Sequence, residues 1–159
     1  MNAKKIALAA LAALAANNAQ AQTATQTVTF QVSAINQISV AGTPSLSVTT
    51  AVAGSAPTAV TSSGHTWAVT TNQTGAKITA SIPSAMPTGL TLSATMGAPS
   101  GATSTGEKTL GTTAVDMVTG ITKLNATGLS LSYQLEATAA AGVVSSSTRV
   151  VTYTITGGV

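Results

Sequence analysis

The chain has 159 residues, of which 44% are apolar and only 6% charged, against roughly 25% charged in an ordinary soluble domain. That length accommodates one domain with a real core, and a positive mean hydropathy excludes an intrinsically disordered chain, which combines low hydropathy with high charge. No cysteine is present, which excludes a disulfide framework, thiolate metal sites and cysteine nucleophiles.

Residues 1–21 read as a secretory signal peptide. Lys4 and Lys5 precede an apolar run at 6–16, and Ala19-Gln20-Ala21 supplies the small residues a signal peptidase prefers. The run is shorter than the about 20 residues a membrane span needs, so a transmembrane helix is the weaker reading. The exported chain then begins at Gln22 and is expected to be secreted or held at the cell surface, with the periplasm as a further destination. It keeps four basic and three acidic residues, a net charge of +1. No basic patch with interleaved aromatics survives, so nucleic acid is not an expected partner.

Residues 25–32 (TQTVTFQV) alternate without a slip from Thr27, placing Val28, Phe30 and Val32 on one face of a predicted strand. This strand stands at the leading end of the exported chain, where it can close its own domain's sheet or reach into a neighbour's. The alternation breaks at Ile35 and resumes at Ile38 and Val40, which predicts a bulge or a strand changing sheets near 34–37. Gly42-Thr43-Pro44 is a turn. Residues 46–52 form the next alternating set, closed by 53–57, and Ser62-Ser63-Gly64 predicts another turn.

Residues 65–71 follow as a strand with Trp67 and Val69 inward, since a ring of that size is best placed in a core. Residues 72–75 make a hairpin-like connection into 76–82, where Ile78, Ala80 and Ile82 point inward. Residues 83–89 are loop, Leu90, Leu92 and Ala94 restart the alternation, and 97–106 is a long turn-like stretch. Two short candidates, 108–112 and 114–118, would bury Leu110, Val115 and Met117. After a connection at 120–128, residues 129–137 carry the best pattern, with Leu129, Leu131, Tyr133, Leu135 and Ala137 on one face. A small-residue turn at 138–142 leads to a final strand at 149–156, with Val151, Tyr153 and Ile155 together. No helix is predicted in the exported chain. About eight to ten short strands with regular turn signals predict an all-β fold, an antiparallel Ig-like or jelly-roll-like sandwich spanning residues 22–159 as one domain.

The residues that could carry chemistry are few. His65 is the only histidine and Asp116 the only aspartate, and Glu107 and Glu136 lie far apart, so neither a nucleophilic triad nor a carboxylate pair can be specified. No catalytic, metal or cofactor residue is expected, and the chain is not read as an enzyme. Asn72-Gln73-Thr74 and Asn125-Ala126-Thr127 match the glycosylation pattern and read as turns.

Threonine and serine crowd the strands while charge is scarce. Natural sheets guard their edges with charge or proline, and that protection is missing from the best-patterned strands. With residues 25–32 directly after the signal, no cysteine, and Thr-rich strands through Thr156, the chain resembles the secreted β-sandwich subunits of prokaryotic surface filaments, which donate an N-terminal strand to the next subunit. The resemblance implies a pilin-like or surface-coat protein whose partners are other copies of itself or related subunits, with Val28, Phe30 and Val32 filling alternate pockets. The alternative is a secreted module that binds carbohydrate or protein, which would display aromatic platforms.

Overall fold

The computed structural model describes residues 21–159, so the signal-peptide reading of residues 1–21 lies, but for its last residue, outside the described residues. The chain divides into a leading unit, described over residues 21–32, and a domain at Ser33–Val159. The domain is all-β, with nine strands and no α-helix among the described residues.

In chain order the strands are β1 (Asn36–Ala41), β2 (Val60–Thr71), β3 (Ala76–Ser81), β4 (Leu90–Met96), β5 (Thr103–Ser104), β6 (Lys108–Thr109), β7 (Val115–Ile121), β8 (Leu124–Ala137) and β9 (Thr152–Thr156). A 3-10 turn at Ala139–Ala141 occupies the small-residue stretch before the last strand. Two antiparallel sheets result, one ordered β1-β2-β8-β4-β6 and the other β5-β7-β3-β9. They pack as a β-sandwich, as the alternation predicts: Trp67, Met96 and Leu131 from the first sheet and Ile78, Met117 and Ile121 from the second are each at most 2% exposed in one core. The inward parities of β3 (Ile78, Ala80), of β8 (Leu131, Tyr133) and of Trp67 and Val69 are those read from the sequence.

Several local expectations change. Ser62-Ser63-Gly64 is not a turn but a bulge inside the twelve-residue β2. Ser62 faces Tyr133 and His65 faces Leu131, so β2 spends one extra residue there, with Gly64 at φ +83°. A second bulge sits on β8, where Trp67 faces Leu129 and Val69 faces Ala126, with Gly128 at φ +68°. Each glycine takes a left-handed conformation that would interrupt any other residue, and the ladder resumes beyond it. Residues 120–128, expected as a connection, therefore belong largely to β7 and β8. A further bulge, where Ile78 faces Val118 and Thr79 faces Asp116, explains why Met117 and Val118 are both buried against simple alternation.

The strand expected at 46–52 is not formed. A lone bridge joins Ala51 to Pro57, and Thr58 N–H donates to Thr50 O at 2.8 Å. The return arm has no N–H at Pro57 with which to extend a ladder. Residues 72–75 do not close a hairpin within one sheet; they carry the chain from the first layer to the second, since β2 and β3 lie in different sheets. Beside them the turn between β7 and β8 crosses back, and Lys123 N–H donates to Gln73 O at 2.9 Å. The last strand is shorter than expected, Thr152–Thr156 in place of 149–156, although Val151, Tyr153 and Ile155 all pack toward the core.

A pair of tyrosines bridges the two layers. Tyr153 on β9 donates its hydroxyl proton to Tyr133 Oη on β8 at 2.9 Å. Burial pushes both phenols above their ordinary range; donating the shared bond raises Tyr153 further, while accepting it lowers Tyr133 somewhat.

Truncating Ile78 to alanine removes a fully buried side chain at the centre of the second sheet and is expected to cost about 2–5 kcal/mol in urea unfolding, with little change in the denaturant slope. Because the folded-state phenols are raised, the folded domain holds protons that the unfolded chain releases above pH 10. Stability is therefore full below about pH 10 and falls as pH rises further. Alkaline melting curves of the Tyr133→Phe/Tyr153→Phe double variant should lose most of that slope.

Candidate functional site

The expected strand at 25–32 does not exist in the single chain: residues 21–35 carry no strand. Val28, Phe30 and Val32 are 73%, 89% and 77% exposed. Alternation gives such a segment one apolar face but no partner for its main-chain groups, and an extended segment without a ladder bonds to water. The break at Ile35 is likewise not a strand changing sheets. It marks the entry to β1.

The other residues singled out from the sequence are accounted for within the domain. His65 Nε2 lies 2.8 Å from Ser62 Oγ, and its ring meets Tyr133 edge to face, so it packs at the β2 bulge. Asp116 pairs with Lys77 at 2.9 Å on half-exposed side chains, an arrangement worth little to stability. No group of three metal-ligating side chains occurs among the described residues. Trp67 is 1% exposed and donates its indole N–H to Gly97 O at 3.1 Å, and the tyrosines bond to each other between the layers, so none of these rings forms an open platform.

Two clefts stand out among the described residues. One of about 370 Å³ lies between Ile35, Asn72 and Lys123, and one of about 310 Å³ between Pro57, Gly89 and Glu136. Each is lined by one ionisable side chain, so neither sets an acid against a base.

What remains are the sheet edges, and they differ sharply. β5 and β6 are edges of two residues each. Ser104 donates to Met96 O at 2.6 Å, a stitch across the layers, Thr105 donates to Asp116 O on β7 at 2.6 Å, and Lys108 adds a charge to β6. Short length, charge and stitching are the usual guards of an edge. The opposite side is bounded by β1 (NQISVA) and β9 (TYTIT), which carry neither charge nor proline.

The entry to β1 is held by Asn72 at the end of β2. Asn72 N–H donates to Ile35 O at 3.2 Å, Ile35 N–H donates to Asn72 Oδ1 at 2.8 Å, and Asn72 Nδ2 donates to Ser33 O at 2.8 Å. Thr71 adds a bond to Asn36 Oδ1 at 2.7 Å. The Ile35–Asn72 pair fixes the phase of the β1–β2 ladder. Bonded and non-bonded pairs alternate in an antiparallel ladder, so Gln37, Ser39 and Ala41 bond to β2, and Asn36, Ile38 and Val40 turn their N–H and C=O groups to the open side.

Sequence reasoning took Asn72 for a turn residue. Its available signal was the ability of an asparagine amide to imitate a backbone unit beside a turn. The same amide matters for glycosylation, because the nitrogen a glycan would take is engaged with Ser33.

Comparison with family models, with characterised proteins and with solved structures yields no match to this chain.

Replacing Asn72 with alanine should release Ser33 and Ile35 together, lowering stability by about 1–2 kcal/mol and speeding amide exchange at Ile35. Asn125→Ala, at an exposed position of β8, is expected to change both far less.

Proposed function

We propose that the exported chain is a structural protein of the cell surface that associates with other copies of itself by β-strand addition, pilin-like or coat-like in role. The observation that carries this reading is the stripe of Val28, Phe30 and Val32, three large apolar side chains at least 73% exposed on a segment without a single charge. Large apolar side chains displayed in a row are costly to leave in water and mark surfaces meant to be covered. Main-chain bonds supply affinity in strand addition, and alternate side chains supply the fit. The alternation from Thr27 to Val32 has that form.

The absence of cysteine and the small net charge agree with the same reading. Stability of an exported chain without disulfides must come from its sheet core or from neighbouring chains, and few charges oppose the approach of like copies. Covering the stripe would contribute roughly 1.5–3 kcal/mol for each of the three side chains before the cost of ordering the segment, so association should depend on concentration.

The test compares chains beginning at Gln22 and at Ala34 by size-exclusion chromatography with light scattering. The longer chain is expected to form concentration-dependent oligomers and the shorter one to elute as a folded monomer. Monomeric elution of both at high concentration would refute the proposal.

A further inference from the structure

We infer that the outer edge of β1 is the acceptor, and that its occupant is residues 27–32 of a second copy with Phe30 opposite Ile38. This inference rests on the strand-addition reading and adds to it a place and a register.

Three features of the structure converge on that edge. First, Asn36, Ile38 and Val40 present three N–H and three C=O groups outward, and the edge is six residues long, as is the run 27–32. Both cover roughly 20 Å at the ordinary rise of a strand. Second, the apolar residues fall in matching phase. In β1 the even positions Ile38 and Val40 carry the apolar side chains, and Ile38 packs against the core. In the donor the even positions are Val28, Phe30 and Val32. Pairing Phe30 with Ile38 keeps all five side chains on one face and sets Thr27, Thr29 and Gln31 beside Gln37, Ser39 and Ala41 on the other. Directly opposed apolar pairs of this kind stabilise a sheet, while a slip of one residue would place Phe30 on the polar face. Val40, 49% exposed, leaves an apolar side chain uncovered at this edge. Third, neither strand carries a charge, so nothing opposes the pairing.

The same pairing within one chain would need residues 33–35 as a three-residue hairpin loop. Such loops end in a left-handed residue, usually glycine, and Ser33-Ala34-Ile35 offers none. Ile35 is moreover held in the β1–β2 ladder by Asn72, and Ser33 O is bonded to the same side chain. The residues that would make the turn are already committed. The edge is therefore left to another copy.

A proline at position 40 tests the edge, because it removes an N–H that faces outward and leaves the bonds to β2 in place. In the chain beginning at Gln22, Val40→Pro should keep the far-ultraviolet spectrum and a cooperative melt while weakening self-association by about tenfold or more. An independent arm uses the natural lack of cysteine: Thr29→Cys and Ser39→Cys, prepared as separate chains, mixed and oxidised, should form a disulfide-linked heterodimer. Gln37→Cys takes the place of Ser39→Cys if the added strand runs parallel, and Thr109→Cys on β6 should give none. This arm decides the matter even if the proline variant fails to fold. Association that is unchanged in Val40→Pro, or that depends on residues 22–33 yet yields neither disulfide at positions 37 and 39, would overturn the β1 assignment while leaving strand addition intact. A parent chain that stays monomeric at every concentration would overturn both.

Discussion

The pairing of β2 with β8 is the constraint on which the rest of the domain depends. These are its two longest strands, at twelve and fourteen residues, and they lie side by side in the first sheet. The ladder puts Trp67, Val69, Leu131 and Tyr133 on one inner face, where the second sheet covers them. Its partners are separated by some sixty residues of chain, so loop closure must precede much of the burial that rewards it. The glycine bulges at Gly64 and Gly128 let so long a ladder twist without breaking, and they keep inward residues inward on either side of each irregularity.

From that ladder follows an asymmetry between the two sides of the sandwich. Beyond β4 the chain passes back and forth between layers through β5, β6 and β7, closing that side with strands too short to recruit a partner. On the β1 and β9 side the edges are longer and uncharged. The protein has spent its guards unevenly. Each sheet therefore has one edge that short length and charge protect and one that they do not.

Much of the fold was legible in the residues. Alternation along 76–82 and 129–137 gave the strands and their buried faces because a side-chain period of two leaves little freedom once one face must leave water. Trp67 was placed inward by its size alone. The misreadings share a cause: Ser-Ser-Gly at 62–64 and Asn-Gln-Thr-Gly at 72–75 signal a reversal or a left-handed residue, and the same signal serves a turn, a bulge or a passage between layers. Which of these occurs depends on whether a partner strand lies alongside. For the candidate site, the stripe at Val28, Phe30 and Val32 could be read directly. The edge β1 and the Asn72 clasp could not, since an edge is defined by the strand that is missing.

The amino-acid sequence by itself determined a cysteine-free β chain, which faces its strands bury, and a leading segment with one apolar face. Periodicity and composition are local properties, so local residues suffice to write them. Only the tertiary structure decided that the strands sort into layers of five and four, that residues 25–32 belong to neither, and that β1 turns its backbone outward. Those facts rest on which distant segments meet, and a ladder's phase is fixed by its partner rather than by the strand that carries it.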